Sequence, residues 1–272
     1  MTTTVPLETS GADRAGRARR RVLVVRAPDR AAPLLALLDE SGIDAAAAPV
    51  VERTPVEDPA ELDRARAALA RGEYAWVAVT SVNAVEALCG AAPPRPRAPD
   101  WLVEGTRWAC VGPATRRALE AHAIGVDLVP GTMTAAGLVA AFPEAGSAGT
   151  PAEAGRRVLA PLGDLAADTL PDGLRAKGWL PRVVTAYHTV ARELPRDVVD
   201  RAGAAGYDAV VVASGSAARQ VAEQLGPQRV VAIGEPSARA ARDAGHDVLA
   251  VAAAPTDGAL ATAVRDVLGR PA

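Results

Sequence analysis

The 272-residue sequence predicts an α/β fold in two parallel-sheet lobes that arise from an internal duplication. Three observations carry this reading. Short, nearly uninterrupted apolar runs recur along the chain, as expected of strands buried on both faces of a parallel sheet. Ala-, Leu- and Arg-rich segments of helical period separate them, which is the α/β pattern with right-handed crossovers. Several of these strand–turn–helix segments also occur twice, at nearly constant spacing.

Residues 1–20 are rich in Thr, Gly and Arg without apolar periodicity, and read as a flexible arm. Val22–Val25 is the first strand and Ala31–Ser41 the first helix. A β-prone stretch at 49–54 precedes a helical pattern at Pro59–Arg71. Strand Trp76–Thr80 feeds helix Asn83–Cys89, and the proline-rich Ala91–Pro99 reads as a loop. Strand Trp108–Val111 leads into helix Ala114–Ala121, and Glu144–Gly155 is a second loop. Strand Val158–Ala160 follows, then a second β-prone stretch at 183–190. The remainder reads as strands Ala209–Ala213, Val230–Ile233 and Val248–Val251 around helices Ala217–Leu225 and Ser237–Ala244.

The repeats have a definite register. The segment from Tyr74 through Ser81 to Ala84 resembles that from Tyr207 through Ser214 to Ala217, at an offset of 133. Val111-Gly112-Pro-Ala-Thr115 resembles Ile233-Gly234-Glu-Pro-Ser237 at an offset of 122, which also pairs Thr134 with Thr256 and Leu138 with Leu260. The shorter offset follows if the proline-rich loop is missing from the second copy. Val22-Leu23 and Gly42 match Val158-Leu159 and Gly178 at 136. The stretches at 49–54 and 183–190 fall at corresponding places in the copies, suited to serve as crossings between two lobes that flank a cleft.

Composition narrows the function. Apolar residues are 49% and charged residues 23%, enough for a sizeable core. Lys and Arg total 30 against 32 Asp and Glu, a net charge of −2, so no basic field points to nucleic acid. Every cation but Lys177 is an arginine, a bias of coding rather than of function. Cys89 and Cys110 lack C-x-x-C spacing and read as small core residues. No apolar run approaches the roughly 18 residues of a membrane helix. The run Val22–Val25 behind the cluster Arg17, Arg19, Arg20 and Arg21 is too short for a signal-peptide core, so a cytoplasmic location is expected.

Both copies place small or hydroxylated residues where a strand ends and a helix begins: Thr80-Ser81-x-Asn83, Gly112-Pro-Ala-Thr115, Ser214-Gly-Ser216 and Gly234-Glu-Pro-Ser237. There the first N–H groups of a helix lack partners and carry the positive dipole end, so carboxylates or phosphates bind without a lysine. Helix capping alone is the competing reading of any one such turn. Four such turns in two related lobes favour anion binding, beyond the strand ends where open sheets hold ligands. Arg26 ends the first strand and projects at the same edge, as a ligand contact or a structural ion pair. There is no phosphate-binding P-loop, dinucleotide fingerprint or nucleophile elbow. His122, His188 and His246 lack metal-ligand spacing and read as surface or helix-end residues. Glu61/Asp63 and Asp164/Asp168 read as surface charge on helical patterns.

At this point the sequence resembles the uroporphyrinogen-III synthase family. The resemblance rests on Val22-Leu-Val-Val-Arg26, Val79-Thr80-Ser81-x-Asn83-Ala-Val85, Val111-Gly112-x-x-Thr115 and Leu170-Pro-x-Gly-Leu174. Ala186-Tyr187-x-Thr189, Val212-Ala-Ser214-x-Ser216-Ala and Ile233-Gly234-x-x-Ser237-Ala complete it. These run in the family's order from about residue 21 to residue 265. The chain departs at Ser237 (often threonine), Leu162 (frequently arginine) and Ala213 (usually threonine). Ligand contacts from Leu162 and Ala213 are therefore not expected, whereas Ser237 keeps its hydroxyl.

The resemblance implies two α/β lobes joined by a two-stranded linker, each mixing the copies: 21–50 with 192–272, and 56–185, with crossings at 49–54 and 183–190. It implies cyclisation of the linear tetrapyrrole hydroxymethylbilane with inversion of the terminal pyrrole ring and loss of water, a lyase reaction using no metal or organic cofactor. The substrate's own pyrroles expel hydroxide to form an azafulvene cation, and closure passes through a spiro intermediate. The protein's part is orientation and electrostatic placement. Expected substrate contacts are Arg26, Thr80, Ser81, Asn83, Gly112, Thr115, Ser214, Ser216, Gly234 and Ser237. Tyr187, in the second crossing, is the expected catalytic residue, its phenol donating to the departing hydroxyl. The protein is expected to act as a monomer, touching neither nucleic acid nor membrane and meeting transiently the enzyme that makes its substrate. A non-enzymatic bilobed small-molecule binder is the alternative; such receptors normally carry an export signal.

Overall fold

The computed structural model describes residues 19–146, 155–204 and 206–269. The described residues through Glu52, with those from Val190 onward, form one compact unit; Arg53–Thr189 forms the other. The arm reading falls on residues outside this range except Arg19 and Arg20. Both are tied down: Arg19 bonds Gly42 and Asp39, and Arg20 bonds Asp208. Most of the loop at 144–155 also lies outside the described residues.

The first unit opens with β1 (Arg21–Val24), α1 (Pro28–Glu40) and β2 (Asp44–Ala47). It continues with α7 (Arg196–Ala204), β8 (Ala209–Val212), α8 (Gly215–Leu225), β9 (Arg229–Ala232), α9 (Glu235–Asp243), β10 (Asp247–Val251) and α10 (Asp257–Leu268). Its sheet runs β10-β9-β8-β1-β2, every pairing parallel.

The second unit holds α2 (Ala60–Ala70), β4 (Trp76–Val79), α3 (Val82–Cys89), β5 (Arg107–Cys110), α4 (Pro113–Ala121) and α5 (Ala135–Ala141). β6 (Arg157–Gly163) and α6 (Thr169–Ala176) complete it. Strands β3 (Val51–Pro55) and β7 (Leu180–Ala191) lie mainly in this unit and contain the two unit boundaries. The second sheet runs β3-β7-β6-β4-β5, and β7-β6-β4-β5 is parallel throughout.

Period-two alternation builds a double-sided core in each unit. Val22 and Val24 of β1 face one cluster with α1 and α10, while Leu23 and Val25 face another with α7, α8 and α9. Likewise Val77 and Val79 of β4 pack with α2, α3 and α4, and Trp76 and Ala78 with α5 and α6. Both faces are covered, which is why these strands read as unbroken apolar runs.

The two sheets share one register. Val22 pairs with Ala209 in the first, and Val158 with Trp76 in the second, related by the sequence offsets of 136 and 133. The bridge Ala109–Leu128 matches the pair Val231–Ala250 at the offset of 122. The N-caps correspond too: Ser81 with Ser214 and Thr134 with Thr256, each hydroxyl accepting from the N–H three residues on.

Two polar readings need correction. His122 closes α4, whereas His246 lies beyond the turn after α9, directly before β10, and both are buried rather than at the surface. His246 accepts from Gln228 N at Nδ1 and donates to Ala218 O at 2.8 Å, so its proton sits on Nε2 and it links α8 to the sheet. Asp164 is not on a helix; it follows the end of β6, where β6 runs three residues beyond the predicted Ala160.

Candidate functional site

In each sheet, chain order reverses direction at one place. In the first unit β1 leads to β2 on one side while β8 lies on the other; in the second, β4 leads to β5 while β6 lies on the other. Beyond the carboxyl ends of such strands the helices diverge to opposite faces and leave a crevice, the usual ligand site of open α/β sheets. The residues singled out from the sequence sit at these two edges.

In the first unit, Arg26 follows β1, Ser214 caps α8 after β8, and Gly234 caps α9 after β9. These strand ends are hydrogen-bonded neighbours: Val25 N donates to Val211 O, and Ile233 N to Val212 O. Arg26 Nη1 is 2.6 Å from Asp257 Oδ1 in the first turn of α10, and its side chain is only 16% exposed. The ion-pair reading of Arg26 is therefore present; a guanidinium has five N–H donors and this bond uses one. Ser214 accepts from Ala217 N at 3.2 Å and lies 3.1 Å from the Ser216 hydroxyl. Capping is thus part of what Ser214 does. Ser237 is buried in the first turn of α9.

In the second unit, Thr80 and Ser81 follow β4, Asn83 is in the first turn of α3, and Gly112 caps α4 after β5. Val111 N donates to Val79 O at 3.1 Å, so these turns are also adjacent. Thr115 is buried in the first turn of α4, as Ser237 is in α9. Gly112 and Gly234 cap with extended backbones, but Pro113 and Pro236 in the turns that follow have no N–H, and Ser237 N already donates to Gly234 O at 3.1 Å, so these turns offer an anion fewer amides than an ordinary helix start.

Tyr187 joins this edge from β7. Its phenol oxygen lies 3.3 Å from Ser81 Oγ, with the serine hydroxyl donating to it. Ser81 Oγ in turn accepts from Ala84 N at 3.1 Å. The resulting chain, helix amide to serine to phenol, leaves the phenol's own proton to be given elsewhere. Leu162, where an arginine was a possible ligand contact, is buried in the core.

Sequence reasoning missed Gly163, Asp164, His188 and Asp257. Asp164 Oδ2 is 3.1 Å from His188 Nδ1, and Oδ1 accepts from Leu165 N and Thr189 N at 2.9 Å. A β6 extended to its true end would have put Gly163-Asp164 at the same edge as Ser81. Among the described residues, no group of three or more His, Cys, Asp or Glu is arranged to hold a metal ion. No helix among them is long and apolar enough to cross a membrane. Burial pushes the Cys89 thiol up to about 12 and raises that of Cys110, so neither is set up as a nucleophile.

Comparison with known proteins agrees with this architecture. A crystal structure of a mutant uroporphyrinogen III synthase from the extremely thermophilic bacterium Thermus thermophilus aligns over 93% of this chain and 100% of its own, with TM-score 0.62 and 17% identity. Uroporphyrinogen-III synthetase from Helicobacter pylori 26695 aligns over 91% and 99%, with TM-score 0.56 and 16% identity. At these identities the likeness establishes the fold. No curated protein sequence matches the chain significantly. The sequence model of the family described as uroporphyrinogen-III synthase HemD, however, matches residues 32–262, which spans both units and every site residue but Arg26. The chain therefore belongs to the uroporphyrinogen-III synthase family.

Proposed function

We propose that this protein converts hydroxymethylbilane to uroporphyrinogen III, inverting the terminal pyrrole ring and eliminating water as a hydro-lyase, in the tetrapyrrole route to heme, siroheme and cobalamin. The observation that carries this reading is the Ser81–Tyr187 contact at the chain-reversal edge of the second sheet. Hydroxide is a poor leaving group. The pyrrole nitrogen pushes electrons toward the C–O bond, and a proton given to the departing oxygen completes the loss of water. A phenol whose oxygen already accepts from Ser81 is oriented to give that proton. The azafulvene cation then closes on the substituted carbon of the terminal ring to give the spiro intermediate. The older bond to that carbon breaks, the freed methylene rejoins the ring at its unsubstituted α-carbon, and the proton lost from that carbon restores the phenol.

What the protein must do otherwise is hold a flexible polyanion in one folded shape. Arg26, Ser214, Ser216, Gly234 and Ser237 in one unit, and Thr80, Ser81, Asn83, Gly112 and Thr115 in the other, are read as the seats for its acetate and propionate arms. β3 and β7 serve as crossings in this reading. The protein works as a cytoplasmic monomer, without a cofactor, and takes its labile substrate through transient contact with the enzyme that makes it.

The test is the isomer formed. Freshly made hydroxymethylbilane closes spontaneously to the unrearranged type I ring. Incubation with the protein should yield type III after oxidation and chromatographic separation. Type I alone, at the rate of the buffer blank, would defeat the proposal.

A further inference from the structure

Tyr187 is held by more than its contact with Ser81. β6 and β7 pair in register as far as Leu162 opposite Thr185; the next pair is Gly163 opposite Tyr187. Ala186 is therefore an extra residue in β7. Such a bulge turns the following side chain out of the strand's alternation, and Ala186 and Tyr187, adjacent in sequence, both pack against the same core cluster.

The turned ring has a place prepared for it. A Cβ on Gly163 would lie 2.7 Å from Cε2 and Cζ of Tyr187 and 2.9 Å from its hydroxyl. A phenol ring is rigid, so any side chain at 163 pushes it off. The backbone around Tyr187 is fastened by the next residue. Asp164 N donates to Tyr187 O at 3.1 Å, and the Asp164 carboxylate accepts from Thr189 N at 2.9 Å and meets His188 Nδ1 at 3.1 Å. β6 has ended at Gly163, so the Asp164 side chain takes the place of a missing strand and satisfies the N–H of Thr189. Leu165 N, donating to the same carboxylate oxygen, sets the turn that puts it there.

From this the geometry points to Gly163-Asp164 as the seat of Tyr187. Gly163 admits the ring, and Asp164 is a positioning residue that fixes the peptide flanking it, so that the phenol meets Ser81. The inference rests on the reading of Tyr187 as the proton donor only for its effect on rate, and the experiment separates the two.

The full-length protein with ring-labelled tyrosine contains three tyrosines, and the signal lost in Tyr187→Phe identifies Tyr187. Gly163→Ala should move that signal and leave those of Tyr74 and Tyr207 in place. It should lower kcat about tenfold with KM little changed, the pattern of a group needed in the transition state. In a Tyr187→Phe background, Gly163→Ala should cost little further, because both changes remove the same contact. Asp164→Asn retains an oxygen for Thr189 N and should keep most of the rate, whereas Asp164→Ala should lose it as Gly163→Ala does. This pair carries the test if Gly163→Ala fails to fold. An unmoved Tyr187 signal in Gly163→Ala or Asp164→Ala overturns the seat. So does a rate loss in Gly163→Ala equally large with and without the phenol. A moved signal with wild-type turnover in Tyr187→Phe supports the seat and removes Tyr187 as donor.

Discussion

Replacing Tyr187 with phenylalanine deletes one oxygen and keeps the ring, so packing and chemistry separate cleanly. The lost contact is a hydrogen bond of 3.3 Å to Ser81, long for an O–H···O pair, at a half-buried site. Ser81 keeps its bond with Ala84 N, so no buried group is orphaned. The folding cost therefore falls at the low end of a hydrogen bond's net worth, about 0.5 kcal/mol. The rate cost should be larger. One positioned acid contributes about 10²–10⁴-fold, but the pyrroles of the substrate drive water loss themselves. The expected fall in turnover is thus about ten- to a hundredfold, or about 1.4–2.7 kcal/mol of transition-state stabilisation. Initial rates of type III formation, with urea unfolding of the same preparations, measure both quantities. A folded Tyr187→Phe protein with unchanged turnover would assign Tyr187 to structure and leave catalysis to positioning alone.

Stability offers two further checks. In α6, Gly173→Ala gains about 1 kcal/mol of helix propensity, but its Cβ would lie 2.4 Å and 2.6 Å from the methyls of Val139, whose branched side chain has little freedom to turn. Overpacking of about 1–3 kcal/mol should win, lowering the urea midpoint. Gly258→Ala in α10 meets nothing within 4 Å and should raise it; the reverse order would contradict the packing described. Burial lifts the Cys89 thiol from 9.0 to about 12, so the folded state binds this proton more tightly than the unfolded chain. Stability should fall as pH rises through that window, and iodoacetamide near pH 8 should label unfolded protein far faster than native, which equal rates would refute.

The fold was readable because parallel strands covered on both faces leave an unmistakable pattern. Val22–Val25 and Ala209–Ala213 differ from β1 and β8 by a residue at the ends. Elements with weaker patterning were not named: β2 is four residues of Asp and Ala, and α5 is seven residues of which only Leu138 and Val139 are larger than alanine. The hydroxyl and glycine turns were readable as well, because capping and anion binding both need short polar or bare residues at strand ends. That same chemistry kept the two roles from being told apart. Ser81 and Ser214 proved to be caps by their bonds to Ala84 and Ala217, while Arg26 proved to hold Asp257, 231 residues away in the chain.

The sequence alone thus determined the α/β class, the matched spacing of the strands in the two sheets and the family, all properties carried by local motifs and their order. Tertiary structure decided what depends on contacts between distant segments. The serine that caps α3 meets a phenol 106 residues later, and a glycine's missing Cβ makes room for that ring. Asp164 stands in for a strand that has ended. No periodicity encodes these contacts. They exist because chain reversal in the second sheet brings the ends of β4 and β6 side by side, with β7 next to β6, and a one-residue slip turns Tyr187 toward them.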